Sequence, residues 1–259
     1  MEVTMTNKTQ GPWTRIRPLQ IDEVDDKTAA AMKAGELTWG HFPNNLIKVI
    51  AYCPRLAHTE VEYANSFTFD PVTLVGDLQI AGFNDRFLKE LVISRTSLLN
   101  RARYSVTHHS FIGMKLYTDA NRRLEGHAKL LNLHEHEKHP DKYTHRERVV
   151  LDYTVKVTRD AHLVSNQEFS ELRSTLAAHN RQDPRLKPLD GPTMTRHVDA
   201  QIVELTWLIG QFCLLNRWFT ALQVPDEGPM DEANFQAAYE QMVPQDIRDR
   251  NAKILGEDF

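Results

Sequence analysis

The sequence has few cysteines, and their positions exclude the usual uses of a thiol pair. The 259 residues include only Cys53 and Cys213. These two are too far apart to form a Cys-x-x-Cys redox pair or a zinc knuckle, and two cysteines do not make a secreted disulfide framework. We therefore interpret both as buried thiols of a protein from a reducing compartment.

The sequence also lacks an excess of one charge and a long hydrophobic run. Thirty-one Lys and Arg residues against 35 Asp and Glu residues give a formal charge of −4, so we expect no nucleic-acid partner. The most apolar stretch, residues 205–215, is far shorter than the roughly 20 residues that span a bilayer. Secretory signals contain an apolar segment, and residues 1–17 have none. These features predict a cytoplasmic protein without a membrane partner.

Familiar catalytic motifs are missing as well. The chain has no GxGxxG, GxxxxGK[ST], GxSxG or HExxH pattern, so it gives no support to the nucleotide-binding, serine-hydrolase or zincin classes. The segment HEHEKH at 134–139 could offer imidazole and carboxylate ligands to zinc or iron. Its alternation is not a helical ligand pattern and Pro140 follows it. We therefore interpret it as a solvated connection and predict no metal site.

The periodicity of apolar residues predicts an all-α fold. Apolar side chains recur every three to four residues, as on the buried face of a helix, and Ser165 with Glu168 forms a capping-box pattern. We expect an N-terminal arm at 1–26, a helical domain at 27–224 and a C-terminal tail or helix at 225–259. Within the domain the pattern predicts helices at 26–34, 83–100, 102–116, 146–159 and 195–224, and an exposed connection at 132–148.

Residues that can carry chemistry concentrate in one apolar helical pair, FLKELVISRTSLLNRARYSVTHHSFIGMKLY at 87–117. On its second helix Ser105, His109 and Ile112 follow helical spacing and share a face. A buried His109 needs a polar partner, and Glu90 on the preceding helix can supply it if the two helices pack antiparallel. Such a pair is either a structural hydrogen bond or a proton-transfer site.

A histidine held by a carboxylate is suited to moving protons near neutral pH, because the carboxylate fixes its tautomer. We expect His109, oriented by Glu90, to act as general acid or base, with Tyr104 as a further catalytic candidate. Four residues are candidates for substrate binding: His108, Ser105, Arg95 and Arg101. Either arginine could hold a carboxylate by a bidentate contact. Adjacent histidines lie about 100° apart around a helix, so we expect at most one of them to face the pocket.

At these residues the sequence resembles the carboxymuconolactone decarboxylase family of the alkylhydroperoxidase-like superfamily. The family motif is a glutamate, a Cys-x-x-Cys that begins twelve residues later, and a histidine four residues after the second cysteine. Glu90 and His109 match the acid and the histidine, whereas Ala102 and Ser105 occupy the two cysteine positions. The core of the resemblance covers 83–115, and a looser similarity extends over most of 14–224.

The resemblance implies an alkylhydroperoxidase-like helical bundle that forms a homodimer or homotrimer. Ala102 and Ser105 cannot attack a peroxide or resolve a sulfenic acid, so what remains is the proton-transfer apparatus of the cofactor-free decarboxylase branch. We expect a lyase without an organic cofactor, acting on a small carboxylated, lactone or aromatic-derived metabolite. Two alternatives stay open: a redox protein that uses Cys53 or Cys213, and a binding protein that keeps the fold without the chemistry.

Overall fold

The computed structural model describes residues 15–38, 44–67, 72–75, 78–227 and 235–256. Helices form most of this part of the chain: α1 (Asp26–Thr38), α2 (Asn45–Ile50), α3 (Pro54–Phe67), α4 (Arg86–Asn100), α5 (Arg103–Asp119), α6 (Arg123–Asn132), α7 (His145–Asp160), α8 (Asn166–Asn180), α9 (Gly191–Leu222), α10 (Phe235–Met242) and α11 (Gln245–Leu255). A short antiparallel hairpin of β1 (Val72–Val75) and β2 (Leu78–Ala81), with Val72 opposite Ala81, separates α3 from α4. The predicted all-α class is confirmed.

The long helix α9 lies at the centre of the bundle. Asp190 caps its first turn by accepting a hydrogen bond from the backbone N–H of Thr193 at 2.7 Å. The helix packs against α4, α5, α7 and α8, and its Leu205 and Ile209 are fully buried. By length and hydropathy α9 could cross a membrane, but more than half of its most apolar window is buried inside the protein. It is therefore a core helix.

A sharp turn fixes how α4 and α5 meet. Arg101 ends α4 in the left-handed conformation, with φ of 52°. The N–H of Ala102 donates to the carbonyl of Ser97 at 3.1 Å, and the N–H of Arg101 donates to the carbonyl of Leu98 at 3.2 Å. This pair of bonds closes a helix in the Schellman arrangement. Because α5 begins directly afterwards, the two helices pack side by side.

The predicted helices are present, with shifts at their ends. The prediction at 83–100 corresponds to α4, that at 102–116 to α5 and that at 146–159 to α7. Ser165 and Glu168 form the expected capping box at the start of α8. The last predicted helix begins earlier than residue 195, because the Asp190 cap starts α9 at Gly191.

The connection predicted at 132–148 is not an exposed loop. It contains 3₁₀ helices at Leu133–Lys138 and Pro140–Lys142. Four of its side chains are buried: Leu133, His136, Tyr143 and Glu147. Several of its polar groups have protein partners; the carbonyl of His134, for example, accepts a hydrogen bond from Arg95 of α4 at 2.6 Å. The expectation failed because these contacts, which join residues distant in sequence, allow a charged segment to be buried.

Both ends of the chain pack on the helical domain. In the arm, Arg15 Nη1 donates to the carbonyl of Ala221, near the end of α9, at 3.0 Å. In the C-terminal tail, Phe235 of α10 and Ile247 of α11 are fully buried. They enter a core that also contains residues of α4, α5 and α6. The described parts of 1–26 and 225–259 therefore share a core with residues 27–224.

Gly126 lets α6 approach α5 closely. A Cβ at this position would lie 2.4 Å from the Cβ of Tyr117. We expect Gly126→Ala to lower the free energy of unfolding by about 1–3 kcal/mol through overpacking, measured as a lower Tm by calorimetry. Gly210→Ala on α9 is the matched control, because a Cβ there meets open space. It should stabilise the protein by about 0.5–1 kcal/mol, since alanine favours a helix. Equal Tm values for both variants would contradict this packing.

Candidate active site

A recess opens between α5, α9 and the N-terminal helices α2 and α3. It contains about 580 Å³ of space between the atoms, its open mouth included. Apolar side chains form much of its wall: Leu46, Ala64, Ile112, Phe212, Leu215 and Phe219. Seven polar residues line it as well: Asn44, Glu60, Tyr104, Ser105, His108, His109 and Gln211.

The turn between α4 and α5 brings Glu90 against His109, as the sequence predicts. His109 Nδ1 lies 2.8 Å from Glu90 Oε2, and the other carboxylate oxygen of Glu90 pairs with Arg86 of the same helix. The Glu90 side chain is 1% exposed and that of His109 is 13% exposed. Phe212 of α9 meets the imidazole edge-on, with the ring centres 5.0 Å apart. The carboxylate therefore lies behind the imidazole, and the imidazole borders the recess.

The surroundings keep Glu90 ionised. Burial raises its pKa, but the charges of Arg86 and His109 outweigh burial and hold the pKa below its usual value. An ionised carboxylate only accepts hydrogen bonds, so Nδ1 of His109 carries a proton. In the neutral ring the lone pair of Nε2 is then open, and within the described residues this atom has no hydrogen-bond partner. The arrangement can take a proton from a bound molecule or return one.

No thiol stands at the two positions where the family motif has cysteines. Ala102 is buried at the start of α5. Ser105 lines the recess, and its hydroxyl lies 2.8 Å from that of Ser97, which donates to the carbonyl of Ile93 at 2.7 Å. Ser105 is thus held in a chain of hydrogen bonds between α4 and α5, and no hydrogen bond joins its hydroxyl to a histidine of the described residues.

The two cysteines lie elsewhere. Cys213 is half-buried on α9, and Cys53 is exposed in the tight turn between α2 and α3. Neither lines the recess. The expectation that both thiols are buried was wrong for Cys53, because Pro54 starts a new helix there and turns the residue before it toward solvent.

Both adjacent histidines line the recess, which corrects the expectation that at most one could do so. His108 stacks between Tyr104, at 4.0 Å between ring centres, and Phe235, at 4.4 Å. Its Nδ1 donates to the carbonyl of Tyr104 at 2.7 Å, and its Nε2 lies 2.5 Å from Glu227 Oε2. Tyr104 and Ile112 of α5 line the recess too, so the recess borders a face of α5 wide enough to include side chains about 100° apart.

His108 and Glu227 form a buried ion pair. Burial lowers the pKa of His108, but the carboxylate of Glu227 outweighs burial and raises it. Burial raises the pKa of Glu227, and His108 reverses this shift and lowers it. Both ring nitrogens of His108 are occupied as donors, so this imidazole holds the segment after α9 and offers no open nitrogen.

Tyr104 belongs to the same cluster. Its hydroxyl donates to Glu227 Oε1 at 2.8 Å and accepts from the N–H of Leu46 at 3.3 Å. Glu227 Oε1 also accepts from the N–H of Asn45 at 2.8 Å. Burial raises the pKa of Tyr104 well above its usual value. The hydroxyl is therefore committed to joining α5, α2 and the segment after α9, and Tyr104 forms part of the recess wall.

Neither arginine that the sequence suggests for substrate binding lines the recess. Arg95 is buried against the 3₁₀ helix Leu133–Lys138, where it donates to the His134 carbonyl at 2.6 Å. Arg101 is exposed at the end of α4. The reason is helical geometry, since Arg95 is five residues after Glu90 and points about 140° away from it around α4. The prediction that Arg95 or Arg101 holds a substrate carboxylate is therefore corrected, because neither side chain lines this recess.

Glu60 of α3 is a recess residue that the sequence analysis missed. Its Oε1 accepts a hydrogen bond from Gln211 Nε2 of α9 at 3.1 Å. Burial raises the pKa of Glu60 to about 7, and the bond from Gln211 offsets only part of this shift. In the sequence Glu60 stands in the polar stretch HTEVEY. No local signal marks it, because burial comes from the approach of α9.

The histidine-rich segment makes structural contacts. His136 Nε2 lies 2.8 Å from Asp152, and His134 Nδ1 lies 3.3 Å from a guanidinium nitrogen of Arg250. In the part of the chain that the structure describes, no group of three or more His, Cys, Asp or Glu side chains is arranged to hold a metal ion.

Comparison with known proteins identifies the fold. No protein-family model and no curated protein matches the chain. Solved structures with the same fold, each 17% identical to this chain, include the AhpD core of an uncharacterized peroxidase-related protein from Ralstonia eutropha JMP134, with a TM-score of 0.59 over 85% of this chain and 95% of that one. An uncharacterized peroxidase-related protein from Silicibacter sp. TM1040 has a TM-score of 0.60, and the match covers 89% of this chain and 99% of that one. A variant of the debrominase Bmp8 in complex with 2,3,4-tribromopyrrole has a TM-score of 0.57, and the match covers 90% of this chain and 98% of that one. The chain has the alkylhydroperoxidase-like fold that its resemblance implied.

The ion pair of His108 and Glu227 predicts a pH-dependent stability. Its contribution requires an ionised Glu227 and a protonated His108, and it is largest between about pH 4.5 and pH 6.5, the usual pKa values of the two groups. It is lost as the pH rises through the raised pKa of His108. We expect Glu227→Gln to lower the free energy of unfolding by about 1–3 kcal/mol in that window, and by less at alkaline pH. Urea denaturation at both pH values measures this.

Glu171→Gln, which changes an exposed glutamate of α8, is the matched control and should have little effect at either pH. A loss of stability in Glu227→Gln that is the same at acidic and alkaline pH would show that the pair is not ionic.

Proposed function

We propose that the protein is a lyase in which His109, oriented by Glu90, moves a proton to or from carbon in a small substrate. The observation that carries the proposal is the 2.8 Å hydrogen bond between His109 Nδ1 and the buried Glu90 carboxylate at the edge of an apolar recess. The absence of thiols at positions 102 and 105 supports acid–base chemistry over thiol chemistry. As the family resemblance implies, the reaction would need no organic cofactor.

The proposed step uses the open Nε2 of His109. In the direction of proton removal, Nε2 takes a proton from a carbon next to a carbonyl group, and the electron pair of the C–H bond moves toward the carbonyl oxygen. In a decarboxylation, the electron pair of the breaking C–C bond stays on the substrate as carbon dioxide leaves, and protonated His109 gives its Nε2 proton to that carbon. Glu90 stabilises the imidazolium in both cases, because an opposite buried charge lies beside it.

The walls of the recess favour a neutral or weakly polar substrate. With Arg95 and Arg101 placed elsewhere, the residues of the lining that the structure describes include no arginine or lysine. His108 also lines the recess, but its two ring nitrogens are already bonded. Among the substrate types that the sequence suggests, a lactone or an aromatic-derived molecule fits this lining better than a molecule with several carboxylates.

His109→Ala should abolish most of the activity while the protein stays folded. A positioned proton-transfer group contributes roughly 10²–10⁴-fold in rate, so we expect a loss of that size. Turnover of a panel of lactones and aromatic-derived acids, followed by NMR, identifies a substrate and then measures the variant. Circular dichroism checks the fold.

The exposed His162 provides the control, and His162→Ala should keep the wild-type rate. Wild-type turnover in His109→Ala would contradict the proposal. Tight binding of a panel member without any turnover in the native protein would favour the alternative of a binding protein.

A variant without cysteine separates a lyase from a thiol-dependent redox protein. Cys53 and Cys213 do not line the recess, so the double variant Cys53→Ser with Cys213→Ser should keep at least half of the lyase rate. The turnover rate of this variant should also be unchanged by treatment with iodoacetamide. Loss of turnover in this variant, together with inactivation of the native protein by alkylation, would support the redox alternative instead.

The homodimer or homotrimer, the small-molecule partner and the cytoplasmic location stay predictions. The exposed side of α9 carries large apolar residues, Val203, Trp207 and Leu214. This is compatible with burial of that helix between subunits.

A further inference from the structure

Glu60 is an acid of the recess that the proposed step does not use. It lies on α3 and His109 lies on α5, and both border the same space. Its neighbour Gln211 precedes Phe212, whose ring contacts the His109 imidazole. Thus α9 connects the two groups along one wall. No basic side chain pairs with Glu60 in the part of the chain that the structure describes, and its one hydrogen bond comes from a neutral amide.

The amide of Gln211 has an unsatisfied hydrogen-bonding atom. Gln211 is 6% exposed, and its Oε1 is buried without a partner among the described residues. If the amide were rotated so that Oε1 faced Glu60, Nε2 would be left without a partner instead, because the two orientations exchange these atoms. A buried polar atom without a partner is costly. A bound molecule with polar groups beside Glu60 and Gln211 would satisfy it.

We propose that Glu60 is a second proton-transfer group of the recess, whose neutral carboxylic acid donates to the carbonyl oxygen of a small neutral substrate while His109 acts at carbon. This inference rests on the proposed function of His109. It goes further by placing the oxygen of the substrate beside Glu60 and Gln211. That oxygen belongs to a neutral carbonyl group and not to a carboxylate.

The substrate, His109 and Glu60 together supply every proton and electron pair that moves in this step. Nε2 of His109 takes the proton from carbon, the C–H electron pair forms a carbon–carbon double bond, and the carbonyl π pair moves to oxygen. The O–H of Glu60 gives its proton to that oxygen, which leaves an enol, a Glu60 carboxylate and a His109 imidazolium. The reverse step returns both protons. A neutral acid suits this role, because a carboxylate would repel the developing negative charge.

The surroundings of Glu60 are compatible with a neutral acid at neutral pH. Burial is the main cause of its raised pKa, and among the residues that the structure describes only the hydrogen bond from Gln211 lowers it. The titratable groups near it are Tyr63 on its own helix, and Tyr104, His108 and His109 across the recess on α5. The acid should be protonated below about pH 7 and lose its proton above that value.

Exchange of a carbon-bound proton tests the proposal. The probe is α-angelica lactone, a small neutral lactone with an acidic C–H beside its carbonyl group, in D₂O followed by ¹H NMR. We expect the native protein to catalyse exchange at a rate that declines above about pH 7. Glu60→Gln should lower the rate by at least about 10²-fold, and the decline at alkaline pH should disappear. Glu62→Gln, at an exposed position of the same helix, is the control and should match the native protein.

The outcomes separate this inference from the proposed function. If Glu60→Gln keeps the native rate and pH profile while His109→Ala loses exchange, Glu60 has no role and the function of His109 stands. If the native protein does not catalyse exchange, the proposed function fails for neutral lactones. The role of Glu60 is then decided by ¹³C NMR of its side-chain carboxyl, assigned by its absence in Glu60→Gln. That signal must titrate near pH 7 and shift when α-angelica lactone is added, and a signal that does neither overturns the inference.

Discussion

The hydrogen bond between Glu90 and His109 is the interaction on which the account of this protein depends. It exists because α4 ends in a left-handed residue, Arg101, and α5 begins at once, so that two helical faces meet at fixed register. Arg86 completes the arrangement by pairing with the second oxygen of Glu90. A buried carboxylate alone would be protonated or displaced. The two partners keep it ionised, and the ionised group in turn fixes the tautomer of His109.

Adjacent histidines on α5 show how surroundings assign chemistry. His108 has both ring nitrogens bonded, one to a carbonyl within its own helix and one to Glu227, so it is held as a donor and joins the C-terminal segment to α5. His109 has only one nitrogen bonded. The same side chain is therefore a structural cation at one position and a candidate proton-transfer group at the next. Neither role could be assigned from residue type alone.

The sequence predicts what depends on local periodicity. The spacing of apolar residues identifies α4, α5, α7 and α9, and the helical register places Glu90 and His109 on faces that can meet. It does not predict contacts made by distant segments. Glu227 follows α9 and Glu60 lies on α3, and each becomes a neighbour of α5 only through tertiary packing. Arg95 is a different case, because its position about 140° from Glu90 around α4 already places it on another face of that helix.

The tautomer of His109 tests the central claim most directly. Long-range ¹H–¹⁵N correlation NMR on the protein labelled at histidine distinguishes a protonated Nδ1 from a protonated Nε2, with His109 assigned by substitution. The account predicts that neutral His109 carries its proton on Nδ1, and that Glu90→Gln shifts the population toward the Nε2 tautomer. A native His109 that is protonated on Nε2, or a tautomer that does not respond to Glu90→Gln, would contradict it.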